Sequence, residues 1–146
     1  DLPDLGAPGR MTSVDFESDG RAECVLGDQD GRLVALSADG QPLWTYRMTP
    51  AGELRGLDDV LMNQGWALVS GAIGGEMVLL DARGQELWTV YATGGLRRVR
   101  SFPMGSPQRG FVLVGSQTGE LAAYPGSGDG DAPAWRASLG QAVSEI

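Results

Sequence analysis

The chain has 146 residues, 42% of them hydrophobic, which indicates one folded domain with enough apolar material for a core. Its formal charge of −8 repels phosphate backbones, so nucleic acid is not an expected partner. The sequence has one cysteine and no histidine, which excludes an internal disulfide framework and removes the commonest general base and transition-metal ligand. No apolar run approaches the roughly 18 residues that a membrane-spanning helix needs, so no membrane span is predicted.

A repeat of 44 residues organises the chain. Turns of five residues that begin and end in glycine occur at 27–31, 71–75 and 115–119, which are two equal steps apart. The residues after each turn stay in register, and each copy then reaches a tryptophan, namely Trp44, Trp88 or Trp135. The third tryptophan comes three residues late because the loop 126–131 is inserted before it. This regular period predicts a repeat architecture.

Each copy predicts four short β-strands joined by tight turns. Apolar runs closed by glycine alternate with turn residues, and Gly40 and Gly84 supply the positive φ that a tight turn needs. In chain order, the predicted strands lie at 11–14, 22–26, 33–36 and 43–47, at 54–57, 66–70, 77–80 and 87–91, and at 96–99, 111–114, 121–124 and around Trp135. A four-stranded meander of this length is typical of one blade of a β-propeller.

The predicted fold is therefore an all-β propeller of about three four-stranded antiparallel blades. We expect an N-terminal linker at 1–10, blades at 11–53, 54–95 and 96–142, and the opening strand of a next blade at 143–146. Three blades do not close a ring, since closed propellers usually have roughly 4–8. The chain is then either an excerpt of a longer propeller or a half-ring that pairs with a second copy as a homodimer. The excerpt is favoured because the sequence starts without Met and stops within a predicted strand.

The second copy carries a recognisable motif, Asp-Ala-Arg-Gly-Gln-Glu-Leu-Trp at 81–88, after a glycine-rich turn and an apolar strand. This pattern resembles the repeat of PQQ-like β-propellers, a group that includes quinoprotein dehydrogenases and outer-membrane assembly lipoproteins. The resemblance covers residues 11–139. Ser37 in the first copy and Pro125 in the third stand where that family usually has Asp. Short Gly, Asp and Trp signals of this kind also recur in other propellers, including WD40-like ones.

The resemblance, together with the missing catalytic chemistry, implies a non-catalytic scaffold that binds other proteins, without a cofactor, in the periplasm or cell envelope. The alternative is a fragment of a PQQ-dependent quinoprotein dehydrogenase. That reading would imply a quinone, a calcium ion and often adjacent cysteines, whereas this chain has only Cys24. Sulfuryl transfer by related six-bladed enzymes would require a catalytic histidine, which the sequence lacks.

Two groups of residues outside the loops are candidates for partner binding. Trp66 is the one tryptophan that the repeat does not explain, because it aligns with Ala22 and Gly110. The other three tryptophans recur once per copy, which favours packing between blades. The opening strand is innermost in a propeller, so its arginines are expected to line the central channel and to bind an anion or an acidic partner loop. They are Arg55, Arg97, Arg98 and Arg100, and the alternative is that they pair with Asp58, Asp59 and Glu145.

The third copy has two loops that the others lack, and such deviations are where binding residues are usually added. They are the turn 103–109, with Pro107, Gln108 and Arg109, and the inserted loop 126–131, with Asp129 and Asp131. The segments 28–31 and 129–131 resemble the start of a calcium loop but lack the glutamate at its twelfth position, so turn chemistry explains them and no metal is predicted. Cys24 aligns with Leu68 and Val112 and is expected to be an inert apolar residue.

Overall fold

The structure is a computed structural model that describes residues 5–62, 65–104, 109–126, 132–143 and 146, and every regular element in these ranges is a β-strand. The strands are β1 (Pro8–Val14), β2 (Glu23–Asp28), β3 (Arg32–Leu36), β4 (Pro42–Arg47), β5 (Leu54–Met62), β6 (Gly65–Ala72), β7 (Glu76–Leu80), β8 (Glu86–Tyr91), β9 (Leu96–Met104), β10 (Arg109–Ser116), β11 (Glu120–Pro125) and β12 (Trp135–Ser138). The described part of the chain contains no helix that is able to cross a membrane.

The strands form three antiparallel four-stranded meanders. The sheets have the orders β1-β2-β3-β4, β5-β6-β7-β8 and β9-β10-β11-β12, and we call them blades 1, 2 and 3. The first strands pack side by side, β1 against β5 and β5 against β9, which makes them the innermost strands. The three sheets do not close a ring. The prediction of an all-β propeller with an incomplete ring is confirmed.

Two apolar cores hold the blades together. Val25 and Leu33 of blade 1 face Leu68 and Leu80 of blade 2 in the first core. The second core joins the opposite face of blade 2 to blade 3 through side chains such as Val69, Met77, Leu79, Val112 and Val114. All five residues of β7 are buried, because blade 2 has a neighbour on both faces.

The turn between the second and third strands has the same backbone in each blade. Gly31, Gly75 and Gly119 end these turns with φ values of 81°, 105° and 89°, a region that glycine adopts without a steric penalty. In blade 1 the buried carboxylate of Asp28 supports the turn. Its Oδ1 accepts hydrogen bonds from the backbone N–H groups of Asp30 and Arg32 at 2.9 and 2.8 Å. The Asp28 carboxylate, at the start of the calcium-like segment 28–31, therefore already accepts hydrogen bonds from the backbone.

The inner strands are longer than the sequence predicts. β5 continues to Met62 and β9 to Met104, whereas the apolar pattern ends at residues 57 and 99. The extensions carry polar residues such as Asp58, Asp59 and Ser101, which do not alternate with apolar residues. An alternating pattern requires one face in the core, and these three polar side chains are only half-buried.

The first strand begins at Pro8, three residues before the predicted start. Met11 pairs with Leu26, and this is the level at which Leu57 pairs with Ser70 and Val99 with Val114. The alignment of Met11 with the first residue of each later inner strand is therefore shifted by three positions. Each inner strand also has a bulge at the equivalent position, where one extra residue stands opposite the partner strand. The extra residues are Gly9, Arg55 and Arg97.

The repeated tryptophans join each blade to the next, as their periodicity predicts. The indole N–H of Trp44 donates to the Ala82 carbonyl of blade 2 at 2.9 Å. Trp88 of blade 2 lies against Tyr124 of blade 3, with 6.5 Å between ring centroids. Trp135 of blade 3 is 40% exposed.

A second contact between blades recurs at a glycine of the second strand. A methyl group at Gly27 would collide with Leu54, and one at Gly71 would lie 2.7 Å from Val99 Cγ2. At the matching glycine of blade 3, Gly115, the close neighbour is Val143, whose Cγ1 would lie 2.6 Å from the methyl. Val143 is buried and donates its N–H to the Ser116 carbonyl at 3.2 Å. Val143 thus contacts blade 3 as the inner strand of a following blade would.

Candidate functional site

The inner strands bring arginines of all three blades to one cavity of about 420 Å³. Arg10 comes from β1, Arg55 from β5, and Arg98 and Arg100 from β9. We call this cavity the arginine groove. It lies at the end where the inner strands begin, which is also the end that carries the bulges. The bulge on β5 consists of Arg55 itself, and bulges commonly re-aim a side chain in this way.

The structure brings together three of the four arginines that the sequence singles out. Arg55, Arg98 and Arg100 line the groove, while Arg97 is exposed outside its lining. The fourth wall residue, Arg10, is missed by the sequence analysis because it falls in the predicted linker. Its signal is the pair Arg10-Met11, which lies two 44-residue periods before Arg98-Val99.

The structure describes the surroundings of two of the three acidic residues that the sequence offers as ion-pair partners, Asp58 and Asp59. Asp58 Oδ2 accepts hydrogen bonds from the backbone N–H and the hydroxyl of Ser101 at 2.9 and 3.2 Å, which ties blade 2 to blade 3. Burial raises the pKa of the Asp59 carboxyl, and the adjacent carboxylate of Asp58 raises it as well. Arg55 forms an ion pair of 3.2 Å with Glu53, whose side chain is 51% exposed. Glu145, the remaining predicted ion-pair partner, lies outside the described residues.

The other predicted partner-binding residues do not meet at the groove. Trp66 is half-buried on β6 and packs against the core shared by blades 1 and 2. Pro107, Gln108, Asp129 and Asp131 lie outside the described residues, and Arg109 is described only as the first residue of β10. In the described ranges, no three Asp, Glu or Cys side chains form a group that holds a metal ion. Among the described residues, the arginine groove is therefore where predicted partner-binding residues come together.

Each blade has four antiparallel strands, and the blades pack face to face with their first strands innermost. This arrangement defines the chain as a β-propeller. No protein-family model and no curated protein matches the sequence. Solved structures are similar in fold. Crystal structures of BBS1N in complex with ARL6DN, soaked with mercury and with lead, match with TM-scores of 0.77 and 0.76 at 13% and 14% identity.

The crystal structure of BamB from Moraxella catarrhalis matches with a TM-score of 0.63 at 17% identity. The BBS1N matches cover 94% of this chain and 42% and 41% of theirs, and the BamB match covers 91% of this chain and 38% of BamB. The chain thus spans about two fifths of the structures that it resembles. At these identities the likeness shows the propeller fold alone.

Proposed function

We propose that this chain is a non-catalytic β-propeller segment that binds other proteins and contributes blades to a larger propeller or assembly. In two of the similar structures, the matched propeller, BBS1N, was crystallised in complex with another protein, ARL6DN. This supports an interaction role. The motif at 81–88 supports a PQQ-like repeat and, through that resemblance, a place in the periplasm or cell envelope.

Trp135 is the observation that carries the proposal. Trp44 and Trp88 occupy its position in the other blades, and the next blade contacts each of them. Trp135 is 40% exposed, and Leu139 after it is 53% exposed. A partly exposed indole at a position built for a blade contact indicates a face that receives another protein surface.

The direct test is to supply the missing surface. Residue 146 is level with residue 57 in the repeat, so a second copy of residues 58–95 appended after Ile146 continues the register. We expect a higher unfolding midpoint, because each interface between neighbouring repeats adds stability. The fluorescence emission of Trp135 should also shift to shorter wavelength. Its spectrum is obtained by subtracting the spectrum of the Trp135→Phe variant of the extended chain from that of the extended chain.

The matched control carries serine at the appended equivalents of Leu68, Val78 and Leu80, which are buried between blades 1 and 2. This control should leave the midpoint and the Trp135 emission as they are without an extension. If both extensions behave alike, the open face of blade 3 does not bind a propeller blade and the proposal is wrong.

A separate measurement distinguishes the scaffold from a dehydrogenase fragment. The protein is incubated with pyrroloquinoline quinone and calcium, desalted, and scanned for quinone absorbance. We expect no retained quinone, since no described group of acidic side chains is arranged to hold a metal ion. Quinone retained in proportion to the protein would favour the dehydrogenase reading.

A further inference from the structure

We infer that the arginine groove binds an acidic segment of a partner protein, with carboxylates on the arginines and an apolar side chain on the adjacent rim. This inference rests on the proposed function and names the chemistry of one surface. The groove's volume of about 420 Å³ lies within the roughly 300–1,000 Å³ of ligand sites.

Charge is the first argument for an acidic occupant. The chain has 11 basic and 19 acidic residues, yet four of its arginines line this one cavity and none of its described lining residues is acidic. Arg10 is half-buried and Arg100 is exposed. Within the described ranges, no carboxylate forms an ion pair with either of them. Guanidinium groups on neighbouring strands repel one another, and an anion between them removes that repulsion.

Two nearby carboxylates, those of Asp58 and Glu53, leave room for such an anion. Two donors of Ser101 hold the Asp58 carboxylate on the side of blade 3, and Glu53 reaches Arg55 only as an exposed pair. An exposed ion pair contributes about 0–1 kcal/mol, so a ligand carboxylate is able to displace Glu53 at low cost. The planar guanidinium also favours carboxylates because it donates two parallel hydrogen bonds to them.

Apolar side chains at the rim favour a peptide over a small anion. Met11 is 71% exposed and Ile146 is 40% exposed, and both line the groove beside the arginines. A phosphate or a free dicarboxylate would leave these side chains in water. A segment with glutamates or aspartates around one apolar residue covers both kinds of surface. The net charge of −8 opposes long polyanions such as nucleic acid, which extend beyond the groove.

The test is fluorescence anisotropy with a fluorescein-labelled, glutamate-rich peptide that contains one leucine. The affected variant is R10Q/R55Q/R100Q. The matched control is R21Q/R83Q/R136Q, which removes the same charge from exposed positions outside the groove. We expect the groove variant to bind at least about tenfold more weakly, whereas the control binds within about twofold of the wild type. A peptide with glutamine in place of glutamate should bind neither protein.

Several outcomes would overturn the inference: no binding to the wild type, equal loss in both variants, equal binding of a single-stranded oligonucleotide, or full competition by inorganic phosphate at the peptide's own concentration. Circular dichroism verifies the fold, and R100Q alone replaces the triple variant if that variant unfolds. If peptide binding fails while the appended blade still covers Trp135, only this inference is wrong. If both fail, the proposed function is wrong as well.

Discussion

At the scale of single residues, Glu76 is the group with the most unusual environment. It begins β7 and is 3% exposed. Its Oε1 accepts a hydrogen bond from the Thr49 N–H at 3.3 Å, while its Oε2 has no hydrogen-bond partner among the described residues. Burial raises the pKa of this carboxyl above its ordinary value of 4.5, and the nearby carboxylate of Glu86 raises it as well. The folded state therefore holds a proton at Glu76 more tightly than the unfolded chain does.

This environment predicts a specific pH dependence. Because the pKa is raised on folding, the stabilisation from the neutral carboxyl is complete below about pH 4.5 and is lost as pH rises through the folded-state pKa. Glu76→Gln keeps the size of the side chain and removes the titration. We expect the variant to gain stability over the wild type as pH rises, as measured by urea unfolding at pH 4, 6 and 8.

Glu17→Gln, at an exposed position in the turn after β1, controls for the loss of one negative charge. It should not reproduce the gain at high pH. A constant difference between Glu76→Gln and the wild type at all three pH values would contradict the prediction.

At the scale of strands and turns, two equivalent glycines have different surroundings. Gly40 and Gly84 both occupy the turn between the third and fourth strands, with φ values of 80° and 75°. A methyl group at Gly84 would lie 2.7 Å from Trp44 Cδ2, whereas at Gly40 no described atom lies within 4 Å. The close approach of Gly84 to the Trp44 indole is part of the contact between Trp44 and blade 2.

Alanine at the two glycines therefore has different expected effects. Gly40→Ala should cost about 1–2 kcal/mol of unfolding free energy, which is the penalty for positive φ. Gly84→Ala should cost about 1–3 kcal/mol more, because the methyl group also displaces the indole ring. Denaturant unfolding measures both effects. In a Trp44→Ala background the two substitutions should cost the same, and a persisting difference would show that the indole is not the cause.

The number, order and pairing of the strands were predictable because glycine turns mark them directly. Strand lengths were not, since β5 and β9 continue into polar residues that carry no alternating pattern. The same limit applies to the groove. Arg55, Arg98 and Arg100 are predictable because their strands carry apolar residues that align, whereas β1 begins with Pro8, Gly9 and Arg10, which carry no apolar pattern and read as a linker. The spacing of two repeat periods between Arg10 and Arg98 is the sequence signal that identifies Arg10.

At the scale of the whole molecule, the blades differ in how many faces they cover. Blade 2 contributes to both cores, while blades 1 and 3 each contribute to one. We expect amide hydrogen exchange to be slowest in β6 and β7, because opening them requires disruption of both cores. Exchange mass spectrometry should show faster exchange in the equivalent strands of the outer blades. Uniform exchange across the three blades would contradict this expectation.

The glycine contact between blades also bears on how such chains change in evolution. Each blade supplies the glycine, Gly27, Gly71 or Gly115, and the following segment supplies the side chain that covers it. Both halves of the contact recur with the repeat, so recombination that gains or loses one whole repeat leaves every remaining contact intact. A gain or loss of part of a repeat instead separates a glycine from its covering side chain. Related genes are therefore free to differ in the number of whole blades. Substitutions inside a blade are constrained by the contacts with the neighbouring blades.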